Sequence, residues 1–411
     1  MTNKHKIIND PVFGFLTIEN DLIYDVLQHP YVQRLTRIRQ LGLSHFVYPG
    51  ATHTRFLHSI GAMHLMQNGL NSLATKGISI SDNERTAAQL AILLHDIGHG
   101  PFSHVLEHTL VDGITHEEIS QIMMEVIRCT MHDARCTVME MAIAIFQNKY
   151  PRHFLHQLIS SQLDVDRMDY LCRDSFFTGV QEGRVASERL LKMLHVVDDR
   201  LVVEHKGIYS VEKFLVARRL MYWQVYLHKT SVAAEQMLQK ILQRAKQLAA
   251  QGIELFAAPS LHYFLYNHIS ADDFYPGSEA LRHYTMLDDS DLLSAVKEWM
   301  TCDDRVLSLL SKAFTHRLLF QSRLLTEPLN MEQREELRTY YAQQLNIDRQ
   351  DADYFFVEHI STGNTYSEKD DSIDILYNDG IVKDIAAASE ILDLHALTYK
   401  PQKLYLFQFR T

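Results

Sequence analysis

The chain has 411 residues, enough for one large core plus an appended region, or for two to three domains. Hydrophobic residues make up 46% and charged residues 22%, ordinary for a globular protein, and no apolar run approaches the ~18 residues of a transmembrane helix. The net charge of −11 gives no general attraction to nucleic acid, although a local basic pocket would still take a small polyphosphate.

In chain order, "IINDPVFGFLTI" reads as an extended lead-in, followed by a helix from about Asn20. "PYVQRLTRIRQLG" reads as a second helix, with Pro30 near its start and Gly42 at its end. "HFVYPGATHTR" is a loop by its Pro-Gly turn, and a long helix runs from about Thr54 to Leu73. Ser81 and Glu84 have capping-box spacing, and an Ala/Leu/Ile helix follows to Leu94, stopped by Gly98, Gly100 and Pro101. Thr115 and Glu118 form a second candidate box. Residues 156–175 read as one helix, "RLVVEHKGIYS" as a hairpin around Lys206-Gly207, and helices resume to about 251. Beyond 255, helices near 288–346 precede the strand-like "ADYFFVEHIS", "SIDILYNDG" and "KLYLFQFR". The expected fold is mainly α: an all-helical core over 1–250 and a smaller α+β region over 251–411.

Histidine is the unusual residue: there are 23, many between His45 and His116. The doublet His95-Asp96 ends an apolar helix, where an unpaired buried charge is costly and a bound cation offsets it. His58 (with Arg55 one helical turn before it) and Asp166 complete a possible ligand set. These four lie on three separate predicted helices and would point into one bundle interior. Two imidazoles and two carboxylates suit one divalent metal (Mn, Fe, Ni, Zn or Mg), and the spacing does not choose among them. The four cysteines are scattered, with Cys129 and Cys136 too far apart for a CxxC site, and read as reduced thiols.

His…His-Asp…Asp is the signature of the HD phosphohydrolase superfamily. "NDPVFGFL", "PYVQRLTRIRQLG", "YPGATHTRFLHSIG", "LLHDIGHGPFSH", "THEE" and "LDVDRMDYLCRDS" resemble, in this order, its deoxynucleoside triphosphate triphosphohydrolase branch. That branch includes bacterial dGTPases and the vertebrate SAM-and-HD-domain enzyme. The resemblance covers roughly residues 7–230 and implies hydrolysis of a dNTP to deoxynucleoside and intact triphosphate. It implies His58, His95, Asp96 and Asp166 as metal ligands and His104 with Glu107 as an acid/base dyad. His99 and the pair His116-Glu117 are further candidates near the leaving group. Arg55, Arg167 and Arg218 are the implied phosphate-binding cations, with His99 and His104 assisting; a planar guanidinium fork suits phosphate oxygens. Gln40, Tyr170 and Asp174 match sugar-contacting positions, with Asp174 accepting from a 3′-OH, and Tyr226 matches an aromatic that flanks the base.

Leu227 stands where the vertebrate enzyme has glutamine, which leaves base preference open. Gln28 and Thr36 replace residues of its activating nucleotide site. The alternatives are a nucleotidase or phosphodiesterase acting on a smaller phosphate ester, and a non-catalytic nucleotide-binding regulator. The N-terminus lacks the apolar stretch of a signal peptide, so the expected setting is cytoplasmic. The expected partners are a nucleotide and further copies of the chain, with no membrane.

Overall fold

The computed structural model describes residues 6–103, 109–111, 113–363, 372–391 and 401–411. The helical core is organised around the Arg55–Thr75 helix, which packs against the Asp82–Leu94 and Val165–Thr178 helices. Twelve residues of this central helix are buried, from Arg55 to Leu73, so it lacks a solvent face to reward amphipathic patterning. Gly61 makes the close approach possible: a Cβ there would lie 2.0 Å from both Arg173 Nη2 and Asp169 Oδ1. Both expected capping boxes are present, at Ser81/Glu84 and Thr115/Glu118.

The lead-in is an antiparallel hairpin, β1 (Lys6–Asp10) with β2 (Gly14–Ile18). Further small sheets complete the α+β part. Strands β3 (Leu194–Val197), β4 (Arg200–Glu204), β7 (Asp374–Leu376) and β8 (Val382–Asp384) form one sheet, with β4 and β7 parallel. Strand β9 (Gln402–Gln408) lies between β5 (Gln321–Leu325) and β6 (Phe356–Thr362), antiparallel to both. The β4–β7 pair therefore ties the region after residue 250 to the helical core.

Three local expectations are corrected. Residues 30–42 are not one helix: the Pro30–Gln33 helix passes into a 3₁₀ turn at Arg34–Arg37 and the chain becomes extended at Ile38. Arg39 then bridges Thr54, and the Gln40 amide donates to His53 O at 3.0 Å. This long-range pairing wins over local helix propensity.

Residues 156–175 are also two elements. His153–Gln157 ends, and Asp164 caps the Val165–Thr178 helix by accepting from the amides of Ser161 and Arg167. The hairpin turns at Asp198-Asp199, both at positive φ, as a two-residue primed turn requires. Lys206-Gly207 instead lead into the Ile208–Met221 helix.

Candidate metal centre and its cavity

His58 and Asp166 come from the central helix and the Val165–Thr178 helix, while His95 caps the Asp82–Leu94 helix and Asp96 follows it. Their ligand atoms converge. His58 Nε2 lies 3.0 Å from Asp166 Oδ1 and 3.4 Å from His95 Nε2, and His95 Nε2 lies 3.3 Å from both Asp166 Oδ1 and Asp96 Oδ1. Asp96 Oδ2 is 3.9 Å from His58 Nε2. Adjacent ligands on a six-coordinate ion with bonds of about 2.1 Å are separated by about 3 Å, so His58 Nε2, His95 Nε2 and Asp166 Oδ1 fit such an ion, with the Asp96 carboxylate beside them. The donor set leaves coordination positions for solvent or substrate.

Electrostatics point the same way. Burial disfavours charge on His58, but the hydrogen bonds that Asp166 and Asp169 accept from its ring outweigh it and hold the ring's pKa up at about 10. His95 is raised despite burial by Asp96 and Asp166. The carboxyls of Asp96 and Asp166 are held well below the usual carboxylate range against burial, by the histidines and, for Asp96, by Arg55. The carboxylates thus set a negative potential at the ring nitrogens, where a cation would sit.

The turn that carries the doublet is held from three sides. Ser120 Oγ accepts from the Gly98 amide and donates to His95 O, both at 2.9 Å. Arg34 Nη1 donates to the carbonyls of Ile97 and His99 at 2.9 Å, and the Tyr284 hydroxyl donates to Gly98 O at 2.8 Å. Only glycine fits at 98, because a Cβ would lie 2.1 Å from His116 O. On the inner side of the ligands, His58 Nδ1 shares a 2.7 Å hydrogen bond with Asp169 Oδ2. Arg173 binds both Asp169 oxygens, at 2.9 and 2.8 Å, and donates to Asp10 of β1 at 2.7 Å.

The cluster opens into a cavity of about 1010 Å³. A model of the HD domain matches residues 55–174, and one of the HD associated region matches residues 185–258. The Bacillus subtilis protein YwfO is 35% identical over 326 residues, covering 78% of this chain and 72% of its own. The chain belongs to the HD-domain family of phosphohydrolases. A crystal structure of a phosphohydrolase from Bacteroides thetaiotaomicron, 53% identical, superposes with a TM-score of 0.95 over 99% of this chain and all of that one. The Dictyostelium discoideum homolog of the deoxynucleoside triphosphate triphosphohydrolase SAMHD1 is 31% identical over 258 residues, 59% of this chain and half of that relative. The SAMHD1 relatives, of whose length this chain spans about half, support the resemblance to the dGTPase-like branch.

The HD-domain cavity gathers most of the expected residues. Arg55, Gln40, His99, His116, Glu117, Arg167, Tyr170, Asp174 and Tyr226 line it together with His95, Asp96 and Asp166. His99 is neutral near pH 7: burial and the Arg55 charge push its pKa down to about 3, so it offers hydrogen bonds and no charge. It stacks on His116 at 3.8 Å between ring centres and bonds Ser103 Oγ at 2.7 Å. Arg55 Nη1 donates to Asp96 at 2.7 Å, and Arg167 pairs with Asp164. Arg218 is buried outside the lining, donating to Gln162 at 2.9 Å. His104 and Glu107 lie outside the described residues.

Asp174 differs from a bare sugar acceptor. His53 Nε2 lies 2.7 Å from its Oδ1, and the Tyr226 hydroxyl donates to its Oδ2 at 2.8 Å. A carboxylate has about four acceptor positions, so capacity for a sugar hydroxyl remains. Tyr226 is therefore oriented edge-on to Tyr170, with ring centres 5.9 Å apart. Tyr222 and Tyr226 both reach the cavity because the chain widens into a π-turn there, a local irregularity frequent at functional sites. Sequence reasoning missed Asp10, His53, Asp169 and Arg173. For Asp169 a signal existed, since it lies one helical turn after Asp166; Asp10 and His53 carry none.

Proposed function

We propose that the protein hydrolyses deoxynucleoside triphosphates to deoxynucleoside and intact triphosphate. The observation that carries this reading is one helix face. Asp166, Tyr170 and Asp174 follow at i, i+4 and i+8 and line the same cavity. Each step is ~6 Å along the helix. A ligand with its phosphates beside Asp166 thus meets an aromatic ring and then a hydroxyl acceptor at the spacing of a sugar. The SAMHD1 relatives support the same substrate.

When bound, a divalent ion held by His58, His95, Asp96 and Asp166 supplies Lewis acidity and makes water a nucleophile near neutral pH. The chain's own residues do the rest. Arg55 and Arg167 balance phosphate charge at the metal end. His99, neutral and tied to Ser103, is a hydrogen-bond partner for a phosphate oxygen. His116 and Glu117 stand beside it, and by family resemblance His104 with Glu107 moves the proton to the leaving 5′ oxygen. Residues 1–250 form the catalytic domain in this reading. The protein works in the cytoplasm as a homo-oligomer; among the described residues no helix is long and apolar enough to cross a membrane.

The test is a product assay with each dNTP and NTP plus Mn²⁺, resolved by ion exchange, with Asp96→Ala as control. Deoxynucleoside plus intact triphosphate, absent in the control, is the expected result. Release of single phosphates points to the nucleotidase reading. Nucleotide binding without turnover points to the regulator.

A further inference from the structure

One wall of the cavity has no part in the chemistry above. The Lys229–Ala250 helix presents Val232, Glu235, Gln236 and Gln239 to the cavity, spaced i, i+3, i+4 and i+7 on one face. His359 of β6 lines the cavity as well. Among the described residues, the side chains of Glu235, Gln236, Gln239 and His359 have no hydrogen-bond or ion-pair partner. All four are half-buried, so their polar ends face the cavity, and a few polar groups on a concave wall are how a pocket orients a ligand.

The wall lies apart from the phosphate end. Burial alone lifts the Glu235 pKa to about 7, with no contribution from Arg55, Arg167 or the ligand carboxylates. From His58, ring centres step to Tyr170 (6.5 Å) and on to Tyr226 (5.9 Å), which immediately precedes the helix that carries Glu235. The helix carrying Glu235 starts just past these tyrosines, and Glu235 sits six residues along it, a rise of ~9 Å. With phosphates at the metal and sugar at Tyr170, this wall is left for the base.

We propose that Glu235, flanked by Gln236, Gln239 and His359, reads the base and selects an edge with adjacent N–H donors, guanine first and thymine last. The assignment rests on the nucleotide reading above. Two N–H donors facing Glu235 favour its ionised form, which only accepts, and its two oxygens match the parallel N1–H and N2–H donors of guanine. Thymine offers one N–H between two carbonyls, which the carboxylate repels. Adenine and cytosine place an amino donor beside a ring acceptor, which a carboxamide matches better.

The experiment compares Mn²⁺-loaded full-length wild type with Glu235→Gln. It measures kcat/KM for the four dNTPs, and binding of dGMP, dAMP, dCMP and dTMP by equilibrium dialysis. The wild type should prefer guanine, and Glu235→Gln should lower the guanine-over-adenine ratio by ~10–100-fold with metal content retained. An equal loss on all four bases, or none, overturns the proposal, since a structural or catalytic role does not move the ratio. If the wild type cleaves no dNTP, the triphosphohydrolase reading fails, and dialysis still decides the wall: guanine preference lost in the variant supports it, and equal wild-type binding of all four overturns it. If the variant does not fold, the wild-type ranking decides, and thymine bound as well as guanine overturns it.

Discussion

His58 Nδ1 and Asp169 Oδ2 are 2.7 Å apart, both fully enclosed, and this contact sets the ring so that Nε2 faces His95 and Asp166. Asp169 is in turn held by Arg173, and Arg173 by Asp10. A carboxylate behind a ligating imidazole fixes its tautomer and raises its basicity. Asp169→Asn should therefore weaken metal affinity by ~10–100-fold. Chelator competition checks this, and unchanged affinity would remove Asp169 from the site.

Asp96 bridges the metal cluster and Arg55 Nη1, 2.7 Å away. Asp96→Ala should abolish both metal binding and turnover. Metal content by elemental analysis beside the product assay is the check, and stoichiometric metal with full activity would exclude Asp96 as a ligand.

Glu107→Ala should leave metal content intact and slow turnover by ~10²–10⁴-fold, as loss of one member of an acid/base pair does. Wild-type turnover in this variant would dismiss the dyad with His104.

Gly61→Ala should destabilise the fold by ~2–4 kcal/mol. The new methyl would land 2.0 Å from Arg173 Nη2 and Asp169 Oδ1, buried atoms that hold each other and His58. Urea unfolding of the two proteins measures it; an unchanged midpoint would mean the two helices separate without cost.

Burial raises the Glu235 pKa from the ordinary 4.5 to about 7. The folded state then binds the proton more tightly than the unfolded chain. Its contribution is fully present below pH ~4.5 and lost as pH rises to ~7. Wild-type stability relative to Glu235→Gln should fall across that window by at most ~3 kcal/mol. Parallel slopes for the two proteins would place Glu235 in contact with solvent.

The sequence alone determined most of the helices and both capping boxes, because these depend on spacings within single helices, and it named His58, His95, Asp96 and Asp166 as a set through the ordered motifs that carry them. The turns at Ile38 and at Ser160–Asp164 were not legible, because the Arg39–Thr54 bridge and the Asp164 cap outweigh local propensity there. Only the tertiary structure decided the partners of those ligands. Asp10 is separated from Arg173 by 163 residues, and His53 from Asp174 by 121. No local pattern records such pairs, since each is made when two buried polar groups, distant in the chain, must satisfy one another. The same holds for the wall of Glu235, Gln236 and Gln239: on the sequence it is an ordinary polar helix face, and the fold turns it inward onto a cavity.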